Sequence, residues 1–449
     1  MAPDGPSSEE TDRPSGEERP GEGPPLGRFL TRGRALVRSY RTEAGRRALG
    51  NLLGLGASTA LWQLSTVGVL LVLTRALDVE AFGTLVFALT TQTYLTLVGS
   101  LGCAAVVIRE GVRRPGDIDA IATAFLVLTM TSSIVVCAGS LVTVGLVPMS
   151  GGERWLLALV LVGSVPASMN LQPLFDVHHR QARGAVVGAL AEVVGLLAML
   201  WLWRADGLTL PAVGGVYATK WALVLAGQLA VYHTTVRRLR WRYCPEDILL
   251  ILRSSWPILL AALVVVVPIS TGVLLVRLRS GPADAALFGL AYQVANGYLV
   301  FASVGLQVVN PHIAGPFGLH RSFLGKLAMF ASLLLVSLGA LAFGGGWGVV
   351  RLVLSPVYHL AILPMVWLLV AAGLLVVARI AHMYLVRFDE GPFILRAHLV
   401  SALLYVGGCL ILSPSWIRTG AAVLAPCAAL VATVACLWRV RMRIRDAWS

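Results

Sequence analysis

Residues 51–107 read NLLGLGASTALWQLSTVGVLLVLTRALDVEAFGTLVFALTTQTYLTLVGSLGCAAVV and decide the fold. Two apolar runs, at 51–74 and 83–107, are separated by a short turn that carries charges such as Arg75 and Asp78. Each run exceeds the roughly 20 residues that a helix needs to cross a ~30 Å hydrocarbon core. Because a spanning segment must satisfy its own backbone hydrogen bonds, the pattern predicts a helical hairpin that crosses a membrane twice.

Comparable apolar windows recur along the whole chain. After the first two, they lie at about 118–144, 154–174, 184–203, 210–232, 250–276, 285–309, 323–346, 360–384, 392–412 and 418–437. Of the 449 residues, 57% are hydrophobic and only 13% are charged, and the mean hydropathy is +0.78. The runs show no ten-residue alternation of the kind found in outer-membrane barrels. We therefore predict an all-α polytopic membrane protein of about twelve transmembrane helices.

Lys and Arg are distributed unevenly between the loops. One alternate set of loops holds thirteen and the other holds seven, and both basic ends of the chain join the richer set. Since Lys and Arg in short loops favour the cytoplasmic side, we predict a multi-pass plasma-membrane protein with both termini in the cytoplasm. The external loops are short, which argues against an external catalytic domain and against an enzyme.

The ends and the middle of the chain carry polar segments. Residues 1–27 are rich in Pro, Gly, Glu and Ser, and we predict a disordered cytoplasmic tail there. In 28–50, seven arginines surround apolar residues at helical spacing, which predicts a basic amphipathic juxtamembrane helix; the alternative is an unstructured basic segment. A basic cytoplasmic linker at 237–249 and a basic tail at 439–449 are also predicted. Anionic membrane lipids, rather than nucleic acid, are the expected partners of the +13 net charge.

A sequence repeat relates the two halves of the chain. Residues 75–83 read RALDVEAFG and open the second span, and residues 277–289 read RLRSGPADAALFG and open the eighth, with the same final Phe-Gly pair. Because six crossings return the chain to its starting side, repeats of six spans keep one orientation. We therefore predict two pseudo-symmetric six-helix lobes, at 51–236 and 250–438, related by an axis along the membrane normal.

Several helix ends carry a family resemblance. They are 73–83 (LTRALDVEAFG), 102–110 (GCAAVVIRE), 253–257 (RSSWP) and 309–311 (VNP). On these residues the chain resembles the polysaccharide transporter family, the Wzx-like flippases of the superfamily that also holds the multidrug and toxin extrusion proteins. The resemblance implies alternating access around a central cavity, and transport of a polyprenyl-pyrophosphate-linked oligosaccharide from the inner to the outer leaflet. Many members place an acidic and a basic residue within span seven, whereas 268–273 reads PISTGV, so coupling is expected to differ or to be absent.

Glu192 and Lys220 are charges near the middles of spans five and six, where an unpaired charge costs at least ~2.5–3.5 kcal/mol. The two spans are antiparallel neighbours. At 1.5 Å per residue both charges fall at a similar depth, which predicts an ion pair. Two interpretations stay open: neutralisation within the first lobe, or a role lining the substrate path.

Three arginines, Arg253, Arg379 and Arg109, are predicted one to two turns inside the cytoplasmic ends of their spans. Each can either extend to the lipid headgroups or bind the pyrophosphate of the substrate with planar, bidentate donors. Arg253 is the strongest candidate because it precedes Pro257 near the start of the second lobe. Neutral polar groups within the spans are candidates for bonding sugar hydroxyls, with bonds between helices as the alternative. Those neutral candidates are Gln63, Gln293 and Asn296.

The sequence predicts no cofactor and no metal. His178 and His179 are adjacent, so their side chains point apart, and no further ligand follows at metal-binding spacing. Residues 344–346 are three glycines without the Lys-Ser or Lys-Thr of a phosphate loop. The expected driving force is therefore an ion gradient, or consumption of the substrate on the far side of the membrane.

Three other functions stay open from the sequence. One is a cation-coupled multidrug exporter of the same fold, for which Glu192 is the one deep acidic residue in the first lobe. Another is a membrane glycosyltransferase or lipid-sugar polymerase, whose large external loop is missing here. The third is a non-transporting scaffold for glycosyltransferases. For a flippase, the expected partners are the lipid-linked oligosaccharide and the glycosyltransferases or polymerase of the same pathway.

Overall fold

The described part of the chain is almost entirely helical. A computed structural model describes residues 43–146, 149–314, 348–388 and 390–448, and no strand occurs within these ranges. The helices are α1 (Glu43–Ala76), α2 (Val79–Gly99), α3 (Cys103–Arg113), α4 (Ile118–Leu146), α5 (Gly151–Ser168), α6 (Gln172–Val177), α7 (Gln181–Arg204), α8 (Leu210–Thr235), α9 (Pro245–Ser280), α10 (Pro282–Ala314), α11 (Gly348–Val353), α12 (Ile362–Arg387), α13 (Gly391–Ile411) and α14 (Ile417–Trp448). Short 3-10 helices occupy Pro115–Asp117 and Pro356–Ala361.

Among the described residues, eleven segments are long and apolar enough to cross a membrane. They match the predicted windows except 323–346, which lies outside the described residues, as do 1–27 and most of 28–50. The prediction of an all-α polytopic membrane protein is confirmed. The features below belong to residues Asn51–Ser449, which form one compact unit.

Local sequence signals explain where the helices begin and end. Asp78 caps α2 by accepting a hydrogen bond from the backbone N–H of Ala81 (2.6 Å). Ser150 and Glu153 form a reciprocal capping box at the start of α5. Gly281, with φ at +96°, ends α9 and allows the sharp turn into α10. These caps supply partners for backbone groups that a helix terminus leaves unpaired.

The second span is broken, although its apolar window is continuous in the sequence. α2 ends at Gly99 and α3 begins at Cys103, with Leu101 at φ +51° and Gly102 at φ +67° between them. A Cβ atom at position 102 would lie 2.8 Å from the backbone nitrogen of Leu259 on α9. Glycine therefore serves both the left-handed turn and the close approach of a helix from the other lobe.

The two ends of the helical bundle hold different loops. We call the end with the α1–α2 turn and Gly281 the hairpin end, and the end with residues 236–244 the linker end. At the linker end, Arg237 donates a hydrogen bond to Asp119 (2.8 Å). Following the six-span repeat, we call helices α1–α8 the first lobe and helices α9–α14 the second lobe.

Two helices extend into segments predicted as basic linker and tail. α9 begins at Pro245, inside the predicted linker 237–249, and α14 runs to Trp448, through most of the predicted tail 439–449. Proline in the first helical turn, followed by Glu246 and Asp247, is a strong helix start because acidic groups complement the helix dipole.

The repeated Phe-Gly pairs lie where the two lobes meet. α2 packs against α10. A Cβ atom at Gly83 would overlap the carbonyl oxygen of Pro282, and one at Gly289 would overlap the side chain of Val86. Since neither glycine carries a side chain, the two repeat-related helices approach closely at the hairpin end. The repeated motif is therefore part of the interface between the lobes.

Candidate transport cavity

A cavity of about 480 Å³ lies between the lobes. Its walls come from α1, α2, α7 and α8 of the first lobe and from α10 of the second. Most lining side chains are apolar. The polar lining residues are Gln63, Thr66, Glu192, Tyr217, Lys220, Gln293, Asn296 and Tyr298. The structure thus brings together five of the eight residues predicted for the substrate path.

Glu192 and Lys220 form the predicted ion pair. Lys220 Nζ lies 3.0 Å from Glu192 Oε2, and the two residues are 8% and 4% exposed. Thr66 donates a weaker hydrogen bond to Glu192 Oε1 (3.4 Å). The ammonium also lies over the rings of Tyr217 and Trp221, at 4.6 Å and 5.3 Å from their centroids. Both charges are therefore neutralised inside the membrane region by partners from α1, α7 and α8.

One side of the cavity is open between α1 and α10. Val67 and Phe301 both line the cavity, yet they are 48% and 63% exposed. Between these two helices, a Cβ atom at Gly297 would lie 3.4 Å from Gln63 Oε1, at van der Waals contact, so a larger side chain would press on Gln63. The cavity therefore combines a polar interior with an apolar, exposed border.

The hairpin end of the cavity is closed by contacts between the lobes. Glu153 on α5 accepts a hydrogen bond from Arg277 on α9 of the other lobe (3.2 Å), and one from Thr84 on α2 within its own lobe (3.0 Å). Phe82 packs edge to face on Tyr358, with ring centroids 5.9 Å apart. Together with the contact at Gly83, these interactions hold the lobes together on this side.

Arg379 lies beside a second, smaller cavity of about 70 Å³. Its Nη1 donates a hydrogen bond to the hydroxyl of Ser303 on α10. Asn296 lines both cavities, so the cavity beside Arg379 adjoins the main one. Of the three predicted arginines, Arg379 is therefore the one that the structure brings to the edge of the candidate site.

Arg253 and Arg109 line neither of the two cavities, and their place in the substrate path stays a prediction. Arg253 is exposed on α9, whose buried face is formed here by Ile251 and Ser255, about 200° around the helix. Arg109 on α3 is about half exposed and pairs with Glu110 (2.9 Å). Depth along a helix, which the sequence indicates, does not define the direction in which a side chain points.

Other residues of the two cavities were not singled out from the sequence. Tyr217 precedes Lys220 by three residues in α8, so helical spacing places both on one face. Thr66 follows Gln63 by three residues in α1 and shares its face for the same reason. His382 and His398 also line the smaller cavity. They lie sixteen residues apart on different helices, a spacing that matches no local motif.

A family model described as "Polysaccharide biosynthesis protein" matches residues 50–315, which is more than half of the chain. The chain belongs to this family. The predicted resemblance to polysaccharide transporters is thereby confirmed. None of the curated proteins matches this member of the polysaccharide biosynthesis family in sequence.

Solved structures of MATE proteins share the fold of this family member. One is a MATE protein in complex with MaD5, with a TM-score of 0.63 and 15% identity over 90% of this chain and 97% of that one. Another is an outward-facing multidrug resistance MATE family transporter of the MOP superfamily (TM-score 0.58, 16% identity, 91% and 98% covered). A MOP superfamily transporter from Pyrococcus furiosus is similar too (TM-score 0.60, 15% identity, 91% and 98% covered). Family and fold together indicate a membrane transporter.

Proposed function

We propose that this chain moves a polyprenyl-pyrophosphate-linked oligosaccharide from the inner to the outer leaflet of the plasma membrane, for cell-surface polysaccharide assembly. The observation that carries the proposal is the cavity between the lobes, with its polar interior and apolar, exposed border. Such a division suits an amphiphile, because the headgroup can occupy the interior while the tail stays among the lipid acyl chains. Membership of the polysaccharide biosynthesis family supports the substrate class.

The polar residues of the cavity match the chemistry of such a headgroup. Amide side chains both donate and accept hydrogen bonds, as sugar hydroxyls require. Lys220 offers a positive charge for a phosphate, and Arg379 offers planar, bidentate donors next to Asn296. A volume of about 480 Å³ falls within the ~300–1,000 Å³ of small-molecule sites, so the cavity holds part of a headgroup and not a long polymer. The amides that line it are Gln63, Gln293 and Asn296.

Alternating access supplies the movement. In the proposed orientation both termini are cytoplasmic, so the linker end faces the cytoplasm and the hairpin end faces outward. The conformation described above is then closed to the outside, and it loads a headgroup from the inner leaflet between α1 and α10. Rocking of one lobe against the other separates the Gly83 contact and the Glu153–Arg277 ion pair, and opens the cavity outward. Glycosyltransferases or a polymerase of the same pathway are the proposed protein partners.

A cation-coupled multidrug exporter is the second candidate function. It is favoured by Glu192, a buried acidic residue that reaches the cavity and can exchange a proton or bind a cation. An exporter of this kind takes amphiphilic cations in place of a lipid-linked anion. The two candidates therefore differ in the charge and the lipid anchor of the substrate.

Reconstitution in liposomes tests the proposal. We expect purified chain to move a fluorescent polyprenyl-pyrophosphate-linked glycan between leaflets faster than protein-free liposomes do, measured by quenching from one side. Gly297→Leu should slow this movement at least tenfold, because the new side chain enters the gap beside Gln63. Gly407→Leu on α13 is the matched control, since a Cβ atom there meets no other atom within 4 Å.

Each alternative has its own outcome in this assay. Movement of a cationic dye without movement of the glycan would establish the exporter. If neither substrate moves, the scaffold function remains. If Gly297→Leu moves the glycan as fast as the native chain does, the cavity is not part of the transport pathway.

A further inference from the structure

His382, His398 and Cys436 form a cluster inside the second lobe, with one side chain each from α12, α13 and α14. One ligand atom of each lies within 4.8 Å of the other two. His398 is 1% exposed and Cys436 is fully buried, and small apolar residues such as Ala381 and Ala397 pack around them. Three consecutive helices of the lobe therefore converge on two imidazoles and one thiol.

The two imidazoles satisfy each other only in part. Their Nε2 atoms are 2.8 Å apart, with the rings nearly perpendicular at 76°. A neutral imidazole has one donor and one acceptor nitrogen, so one Nε2–H can bond the other Nε2. His398 Nδ1 then has no partner in either tautomer, although it is buried. A polar atom without a partner in an apolar site is costly, so protein atoms satisfy the pair of imidazoles only in part.

The geometry points to one metal ion. Metal–nitrogen bonds of about 2.0–2.1 Å and metal–sulfur bonds of about 2.3 Å place the ligand atoms of a trigonal, three-coordinate site roughly 3.5–3.8 Å apart. The separations in the cluster, 2.8 Å between the nitrogens and no more than 4.8 Å among all three ligands, bracket that range. We propose that His382, His398 and Cys436 bind a single thiophilic metal ion, with copper(I) favoured.

The charges around the cluster select the ion. Imidazole and thiolate ligands suit Zn²⁺ and Cu⁺, and not Mg²⁺ or Ca²⁺. One thiolate and two neutral imidazoles supply a charge of −1, so Cu⁺ makes the site neutral, whereas Zn²⁺ leaves it at +1. Arg379 lines the same small cavity as both histidines and disfavours an additional positive charge in this apolar interior. A neutral, three-coordinate copper(I) site therefore places no additional positive charge beside Arg379.

The bound ion joins α12, α13 and α14 next to Arg379, and so rigidifies the lobe that borders the transport cavity. The sequence predicts no metal, because the three ligands are far apart along the chain and none lies near His178 and His179. The site rests on the cluster alone and holds whether or not the chain carries glycan.

Metal titration of the full chain, purified in detergent and stripped of metal, tests the site. We expect one equivalent of Cu⁺ per chain, measured anaerobically against a chromophoric chelator, and a higher melting temperature on binding. Cys436→Ser and His382→Gln should each weaken Cu⁺ binding at least tenfold. Cys427→Ser, at an exposed position on the same helix, and His233→Gln, at an exposed position on α8, are the matched controls and should bind normally.

Two results would overturn the assignment. Binding of Zn²⁺ without Cu⁺ would refute the charge argument and with it the copper(I) site. Absence of one-to-one binding, or equal loss in Cys427→Ser, would refute the site itself. A monodisperse elution profile shows that a variant is folded. If Cys436→Ser does not fold, the test uses His382→Gln, because His382 is only half-buried.

Discussion

Gly83 of α2 lies so close to the carbonyl oxygen of Pro282 on α10 that a Cβ atom has no room between them. The two residues belong to opposite lobes, and Gly83 is the end of the first copy of the repeated segment. The repeated sequence segment therefore forms a contact between the lobes. This contact is sensitive to a single methyl group.

Gly83→Ala should destabilise the closed hairpin end. Overpacking costs about 1–3 kcal/mol, and here the atom that must move is helix backbone, so the lobes have to separate. We expect a lower melting temperature in detergent and a slower glycan flip. Gly139→Ala on α4 is the control, because a Cβ atom there meets nothing within 4 Å. Equal melting temperatures of the two variants would show that the contact does not hold the lobes.

The Glu192–Lys220 pair allows structural and functional roles to be separated. Glu192→Gln or Lys220→Met alone leaves a buried charge without its partner, and should cost about 3–5 kcal/mol of stability. The double variant should recover most of this stability, because neither charge remains. It should still fail to flip the glycan if the pair lines the substrate path.

Glu246→Gln, at an exposed position on α9, is the matched control for this pair. It should change neither the stability of the chain nor the rate of glycan movement much. A double variant that is both stable and fully active would contradict the pathway role, and would leave charge neutralisation as the function of the pair.

The Glu153–Arg277 ion pair should bias the transporter towards the state closed at the hairpin end. Both side chains are 23% exposed, so solvent screening limits the effect to about 0.2–1 kcal/mol. Arg277→Gln should therefore raise the labelling of a Leu73→Cys reporter from the outer side by a few-fold, measured with a membrane-impermeant maleimide. Arg154→Gln, at an exposed neighbouring position, serves as the control. Unchanged labelling in Arg277→Gln would mean that this pair does not gate the cavity.

Glu390, in the turn before α13, should make stability depend on acid pH. Hydrogen bonds from Arg439 and Arg443 (both 2.7 Å) hold the pKa of its carboxyl below the usual value of about 4.3. A carboxyl whose pKa is lower in the folded state stabilises the fold above its unfolded pKa, and this contribution is lost as the pH falls through the folded pKa.

As the pH is lowered from about 5 towards 3, the melting temperature of the native chain should thus fall more steeply than the melting temperature of Glu390→Gln. Melting curves across this range check the prediction, with Glu246→Gln as the control for an exposed carboxyl. Parallel curves for the native chain and Glu390→Gln would refute a role for this cluster in acid stability.

Most of the fold could be predicted from the sequence because membrane insertion imposes a simple rule. Every window that the structure describes is helical, although 83–107 and 154–174 each contain a break, since a lipid solvent leaves the backbone no other way to satisfy its hydrogen bonds. The break at Gly102 was not predicted, because hydropathy averages over a window and does not register one left-handed residue. The helical extension at Pro245 was missed for a related reason, as charged residues can continue a helix beyond the membrane.

The candidate site was only half predictable. The pairing of Glu192 with Lys220 followed from depth, because the two helices are neighbours in sequence and a short loop relates their positions. Arg253 and Arg379 lie at similar depths in their helices, yet α9 turns the first outward and α12 turns the second towards a cavity. The convergence of His382, His398 and Cys436 also depends on how α12, α13 and α14 rotate against one another.

The sequence alone determined a helical membrane protein of two repeated halves with a neutralised charge pair. It did so because three properties belong to the chain itself: the length of its apolar runs, the free-energy cost of an unpaired charge in a membrane, and the six-span repeat. The direction of each side chain, the open passage between α1 and α10 and the contact of Gly83 with Pro282 were decided only by tertiary packing. The physical reason is that hydropathy constrains how far a residue lies along its helix, whereas the rotation of that helix is set by close contacts with neighbours distant in sequence.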